Sequence, residues 1–245
     1  MNNVIILGKN SFIAKKLSYI LGSSCKLLSR NEIDFLIPGT FSNIDFNDTV
    51  IIDCINVNNG NEAEIIASNF IGFTNFCKYL VENKIKIKYI YISTISTISD
   101  VSVKSSVYIR SKKLAEDYLL NSGLDCQIIR LSYPFGIGEN KQRLLSRIIK
   151  SLKENREIKI NDVKINLNYV DDVCINIVNR LLTKKIIFIS NNHYSSLYDY
   201  VMYLKKAIQS KSNVEKIVST FNFMPLTDLP FKQARSNYDI LLEML

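Results

Sequence analysis

The sequence contains a single histidine, His193, in 245 residues, so a histidine-based nucleophile triad or a multi-histidine metal centre has almost nothing from which to be built. We expect no metal site and a structural role for His193. The five cysteines, Cys25, Cys54, Cys77, Cys126 and Cys174, are odd in number, scattered, and never spaced C-x-x-C, which argues against a zinc knuckle or a disulfide framework and predicts reduced thiols. No stretch approaches the unbroken apolar length needed to cross a bilayer, and the opening "MNNVIILGKN" lacks the basic region and cleavage site of a secretory signal. The expectation is a cytoplasmic protein without a membrane partner. The formal net charge is +8, yet no basic tract gathers it, so nucleic acid is not expected; a phosphorylated small molecule or simply a lysine-rich surface suits the charge as well. Internal repeats and low-complexity linkers are also absent.

What is present is an alternation. Short β-branched runs, "NVIILG", "SCKLLS", "TVIIDCIN", "IKYIYIST" and "DCQIIRLSY", are interleaved with helical stretches, among them "AEIIASNFIGFTNFCKYLVEN" and "SVYIRSKKLAEDYLLNSG". Continuous apolar strands separated by helices predict a parallel sheet covered on both faces, a doubly wound α/β domain. Gly22 and Gly123 stand where helix ends favour the left-handed conformation. After "YPFGIGENKQ" the pattern changes to an amphipathic basic helix, "RLLSRIIKSLKENRE", then short polar strands, "NYVDDVCINIVNRLL", the helix "SLYDYVMYLKKAIQS" and a proline-punctuated tail. The chain therefore reads as a Rossmann-type body over 1–136 and 165–215, with a small C-terminal lobe built from 137–164 and 216–245.

Two stretches carry chemistry. In "VYIRSKKLAE", Tyr108 and Lys112 are four residues apart and project from one helical face. An ammonium beside a phenol stabilises the phenolate and moves a group that ordinarily titrates near about 10 toward the range of a working acid and base. Just upstream, "YIYISTIS" ends an apolar strand in hydroxyls at Ser93, Thr94 and Ser96, at the end of the sheet where open α/β folds bind ligands.

In these motifs and their order the sequence resembles the extended short-chain dehydrogenase/reductases, the NAD-dependent epimerase/dehydratase family acting on nucleotide sugars. "IILGKNSFIAKKL" is similar to the family's first turn, "SNFIGFTNFCKYL" to its asparagine-bearing helix, and "YIYISTIS" and "YIRSKKLAE" to its hydroxyl and Y-x-x-x-K motifs. "IIRLSYPFGIG" resembles the strand that closes over the nicotinamide, and "NYVDDV" the later V-D-D motif. The resemblance implies Tyr108 as general acid/base, Lys112 as the residue that binds the nicotinamide ribose and lowers the Tyr108 pKa, and Thr94, with Ser93 as fallback, as hydrogen-bond donor to the reacting oxygen. It further implies that Gly8, Ser11, Phe12 and Ile13 face the pyrophosphate and that Ile55, Asn56, Tyr133 and Pro134 line the cofactor trough. A homodimer is implied as well, paired through the helix bearing Phe70, Phe73 and Phe76 and the one beginning near Tyr108, although the aromatic stripe suits a core equally.

The first turn departs from G-x-x-G-x-x-G, keeping only Gly8; Ser11 in the second place is small enough for a phosphate to approach the helix N-terminus, and Ala14 in the third, where the helix packs on the strand, adds only a methyl. At the end of the second strand stand Ser29 and Arg30, with no acid, and Lys9 lies in the glycine turn, so NADP(H) is expected over NAD(H). The residues after Thr94 are Ile95 and Ser96, where the family's dehydratases resemble one another in having an Asp-Glu pair. The sequence therefore predicts an NADP-dependent oxidoreductase that reduces a nucleotide-activated 4-keto-6-deoxysugar. An epimerase using the same Tyr and Lys, or a non-catalytic dinucleotide-binding protein, are the alternatives. Arg143, Arg147 and Lys150 form a helical stripe that suits either a diphosphate or solvent.

Overall fold

The computed structural model of the protein describes residues 3–181, 184–218, 224–227 and 230–245. In chain order, β1 (Val4–Leu7) leads through a tight turn into α1 (Phe12–Leu21), followed by β2 (Cys25–Leu28), β3 (Thr49–Asp53), α2 (Glu62–Ile66), α3 (Phe73–Glu82) and β4 (Ile87–Thr94). Then come α4 (Asp100–Ser105), α5 (Val107–Asn121), β5 (Cys126–Leu131), β6 (Tyr133–Phe135), α6 (Leu144–Lys153), β7 (Ile158–Asp162), β8 (Lys164–Ile165) and β9 (Leu167–Tyr169). The chain closes with α7 (Val170–Asn179), β10 (Ile186–Ile189), β11 (Ser195–Ser196), α8 (Leu197–Ile208), β12 (Val214–Val218) and α9 (Asn237–Glu243). Of the proline-punctuated tail, residues 228 and 229 lie outside the described residues, as does Leu182 of the stretch "NYVDDVCINIVNRLL".

The main sheet runs β10-β5-β4-β3-β1-β2, with β2, β1, β3, β4 and β5 paired in parallel. Its strands are near-continuous apolar runs because helices cover both faces; Ile6, Leu7, Ile51, Ile52, Ile90 and Ile128 are all fully buried. The Rossmann-type architecture is thus what forms. Strand order reverses between β1 and β3, so the turns after these two strands flank the point where the chain winds in opposite directions, and ligand crevices of open α/β sheets lie there.

The chain divides into two compact units, Met1–Leu131 with Ile177–Phe188, and Ser132–Asn176 with Ile189–Leu245. In the first, the crossover from β2 to β3 contains no α-helix. Pro38 and Gly39 open a short 3-10 helix, Pro38–Asn43, within an otherwise irregular segment. Phe35, Phe41 and Phe46 from that segment do the covering, with Phe35 stacked on Phe76 at 4.6 Å between ring centroids. Phe73 and Phe76 of α3 are fully buried against these rings and against Tyr89 and Tyr91. Phe73 and Phe76 of the aromatic stripe are therefore core, with Phe70 half-buried beside them; Ile71 and Val81 are the large apolar side chains which that region exposes.

In the second unit, α6 buries Leu145, Ile148, Ile149 and Leu152 against Tyr200, Val201 and Leu204 of α8. The parallel pair β7–β12, the parallel pair β6–β9 and the antiparallel pair β8–β11 complete it. The basic stripe of α6 divides. Arg147 and Lys150 face solvent, whereas Arg143 turns inward, donating to the Pro134 carbonyl at 2.7 Å and lying 4.7 Å from the centroid of the Tyr133 ring. No helix among the described residues is long and apolar enough to cross a membrane.

Candidate active site

The turn after β1 is set by Gly8. Its amide and that of Lys9 both donate to the Leu28 carbonyl at the end of β2, and Ser11 closes the turn by donating to the Gly8 carbonyl at 2.7 Å. Gly8 has φ +88°, and a Cβ there would stand 3.1 Å from the Cys54 carbonyl and the Ile55 amide nitrogen. The obstructing atoms are backbone and cannot turn aside. Gly8→Ala is accordingly expected to destabilise the protein by about 1–3 kcal/mol and to weaken dinucleotide binding, read as a lower melting temperature and a raised Kd. Ser11 caps α1 without a side-chain hydrogen bond to it, and no acidic residue occupies that helix's first turn, so no side-chain carboxylate offsets the positive end of the helix dipole there. Phe12 begins α1, Ile13 and Ala14 are buried behind it, and the methyl of Ala14 is fully enclosed. These residues fit a bound pyrophosphate.

The turn after β3 faces this one. Asp53 is buried; its carboxylate accepts hydrogen bonds from the Ile55 amide and the Tyr89 hydroxyl, both at 2.8 Å. Asn69 then fixes the continuation. Its side chain accepts from the Val57 amide at 2.9 Å and donates to the Val57 carbonyl at 2.7 Å and the Ser111 hydroxyl at 3.1 Å. To aim it so, the helix between α2 and α3 opens into a turn of π-helix over Ala67–Gly72. The Ile55 amide nitrogen lies opposite Gly8, and Asn56 follows it, exposed.

The candidate acid/base residues sit on α5 and at the end of β4. The hydroxyl of Ser106 caps α5 by accepting from the Ile109 amide, placing Tyr108 in the first turn. Ser111 donates to the Tyr108 carbonyl at 2.7 Å, so the asparagine clamp extends to that turn. Lys112, one turn on, is fully buried, with its Nζ 4.0 Å from the centroid of the Tyr91 ring. Burial depresses the Lys112 ammonium to about 8, against the opposing pull of Asp53, Glu116 and Cys54. Strand alternation puts Tyr89, Tyr91 and Ser93 on the face of β4 that Lys112 meets. The Ser93 hydroxyl is buried without a hydrogen-bond partner among the described residues. Thr94 ends the strand, and its hydroxyl accepts from the Ser96 amide at 3.3 Å, which leaves its own proton to donate.

Glu116 and Arg130 complete the floor, a pairing without any signal in the order of residues. Arg130 Nε lies 3.0 Å and 3.2 Å from the two carboxylate oxygens of Glu116, and Thr97 donates to the same carboxylate at 3.0 Å. Neither side chain reaches solvent to a useful extent, at 0% and 9% exposure.

At the end of β2 the expectation of a site without an acid needs correction. Glu32 folds back so that its carboxylate accepts from both the amide and the hydroxyl of Ser29, at 2.8 Å and 2.9 Å. Those hydrogen bonds hold it below the usual carboxylate range, with Lys9 and Lys26 adding to the effect. Arg30 is exposed and paired with Asp34 at 2.9 Å. Tyr133 and Pro134 belong to the second unit, on β6, where Tyr133 is covered by Arg143. His193 Nε2 meets the Ser195 hydroxyl at 3.0 Å, and no cluster of metal-ligating side chains occurs among the described residues.

Residues 31–187, more than half of the chain, match the model of the NAD dependent epimerase/dehydratase family, and the protein belongs to that family. Solved structures share the fold over nearly the whole length. RMD from Pseudomonas aeruginosa, complexed with NADPH, superposes with a TM-score of 0.79 at 16% identity, covering 100% of this chain and 98% of its own. The dTDP-glucose 4,6-dehydratase of Bacillus anthracis, in complex with NAD, gives 0.78 at 13% identity over 100% and 95%. The UDP-glucose 4-epimerase of Thermotoga maritima, with UDP-glucose, gives 0.78 at 14% identity over 99% and 98%. No curated protein matches the sequence.

Proposed function

We propose that the protein is an NADP-dependent reductase of a nucleotide-activated 4-keto-6-deoxysugar. The observation that carries this reading is the neutral character of the residues after Thr94. Ile95 is buried and Ser96 is occupied with its amide on the Thr94 hydroxyl, so no carboxylate stands there to supply the second acid and base that elimination of water requires. Family membership and the nucleotide sugar and dinucleotides bound by the similar proteins support the substrate and cofactor class.

The bound dinucleotide would supply hydride to the keto carbon. Tyr108 donates its phenolic proton to the oxygen as charge develops there. Lys112 stabilises the tyrosinate left behind and binds the ribose, and Thr94, with Ser93 as fallback, shares the negative charge by donating a hydrogen bond. Gly8, Lys9, Ser11, Phe12 and Ile13 hold the pyrophosphate, with Ile55 and Asn56 opposite and Tyr133 and Pro134 lining the trough.

The NADP preference is assigned to Arg30 with Lys9. An exposed ion pair contributes at most about 1 kcal/mol, so Arg30 can exchange Asp34 for a 2′-phosphate with little loss, whereas Glu32 is already satisfied by Ser29. The test is NADPH oxidation against a panel of nucleotide-linked 4-keto sugars. Stoichiometric consumption is expected; tightly retained cofactor with no net consumption indicates an epimerase. In parallel titrations, Arg30→Ala should raise the Kd for NADP about tenfold and leave that for NAD in place; equal affinities in the wild type would defeat the assignment.

A further inference from the structure

The floor beneath Lys112 contains a carboxylate that the proposed chemistry does not use. Asp53 is the last residue of β3, its register partner across the sheet is Tyr91, and the Tyr91 ring is the one over which the Lys112 ammonium lies. Both hydrogen bonds to the Asp53 carboxylate, from the Ile55 amide and the Tyr89 hydroxyl, come from neutral donors and leave its charge unmatched. The other anion near Lys112 is Glu116 on its own helix, and Arg130 already holds that carboxylate through both oxygens. Tyr89 and Tyr91 on β4 and Cys77 on α3 are held neutral, their titrations pushed well up by burial and then by Asp53 itself. Cys54 adjoins Asp53 in the turn. Among the described residues Asp53 is thus the anion near Lys112 that no other cation holds, and both side chains are buried, with 2% exposure for Lys112 and 1% for Asp53.

We infer that Asp53 is a positioning residue for the reaction: its carboxylate keeps the buried Lys112 ammonium charged, so that Lys112 can in turn stabilise the Tyr108 phenolate. This rests on the acid/base reading of Tyr108 and Lys112 above and deepens it. Burial alone favours the neutral amine, and it pushes the Asp53 carboxyl up for the same reason; the mutual attraction is what opposes both. With a neutral isostere at position 53, the ammonium would face only an anion already matched by arginine. The charge on Lys112 would be lost close to neutral pH, and with it the help given to Tyr108.

The experiment uses the full chain with lysine labelled at the ε-carbon, the Lys112 resonance being identified by its loss in Lys112→Met, and no cofactor or substrate present. In the wild type the signal should titrate near about 8; in Asp53→Asn it should move down by about one pH unit. An unchanged titration in a folded Asp53→Asn protein overturns the inference. Should Asp53→Asn not fold, the same coupling is read from the other partner, because it is reciprocal. Lys112→Met must then raise the titration of the Asp53 carboxyl, and an unchanged value again overturns it. A purely structural role for Asp53 would move the melting temperature and leave both titrations in place. Since neither measurement involves turnover, undiminished NADPH oxidation by Tyr108→Phe would sink the proposed chemistry while leaving the coupling of Asp53 and Lys112 standing.

Discussion

Replacing Tyr108 by Phe should lower turnover by about 10²–10⁴-fold while leaving dinucleotide affinity close to that of the wild type. The loss follows from removing the one proton that the reduced oxygen is to receive from the protein. The retained affinity follows from how the residue is held. Ser106 caps α5 just before it, and the Tyr108 carbonyl is fixed by Ser111, itself bonded to Asn69, none of which involves the phenol. Phe keeps the ring and loses only the hydroxyl, so the backbone of the first turn of α5 has no reason to shift. Steady-state NADPH oxidation with a nucleotide-linked keto sugar, paired with a binding titration of the dinucleotide, separates the two quantities. Near-normal turnover in a variant that still binds cofactor would remove the acid/base role from Tyr108. Loss of both together would instead assign the residue to binding.

Arg130→Met should destabilise the unit formed by Met1–Leu131 and Ile177–Phe188 by about 3–5 kcal/mol, because it leaves the fully buried Glu116 carboxylate with Thr97 as its remaining partner. For a chain of this size that corresponds to a fall in melting temperature on the order of 10 °C. The double variant Glu116→Leu with Arg130→Met tests the cause. Removing both charges removes the stranded anion, so most of the stability should return even though the ion pair does not. A double variant as unstable as the single one would show that Arg130 acts through packing, including its approach to Phe188, and not through its charge.

The sheet was legible because buried parallel strands announce themselves as apolar runs, and "NVIILG", "TVIIDCIN" and "IKYIYIST" do so without ambiguity. The β2-to-β3 crossover was not, since covering one face with Phe35, Phe41 and Phe46 replaces a periodic signal by a tertiary one. The pairing of Tyr108 with Lys112 could be read as a spacing, but the floor beneath them could not. Asp53, Glu116 and Arg130 look in the sequence like solvated charges at a strand end, on a helix and on a strand; that they are interior depends on which elements pack together. Glu32 was missed for a different reason. It lies four residues past the end of β2, and only the folding back of the turn brings its carboxylate to Ser29. A carboxylate closing an otherwise apolar run, as in "TVIID", was the one available hint of Asp53.

The wide turn at Ala67–Gly72 carries a last implication. Such a turn accommodates one residue more than a regular helical turn, and each residue advances the helix by about 100°. Deleting a single residue from it would rephase everything on one side against the other. Either Asn69 would swing away from Val57, or Phe73 and Phe76 would leave their partners; a regular helix of this sequence cannot satisfy both. The local irregularity is therefore the linkage that lets one continuous segment serve a polar loop at one end and an aromatic interior at the other.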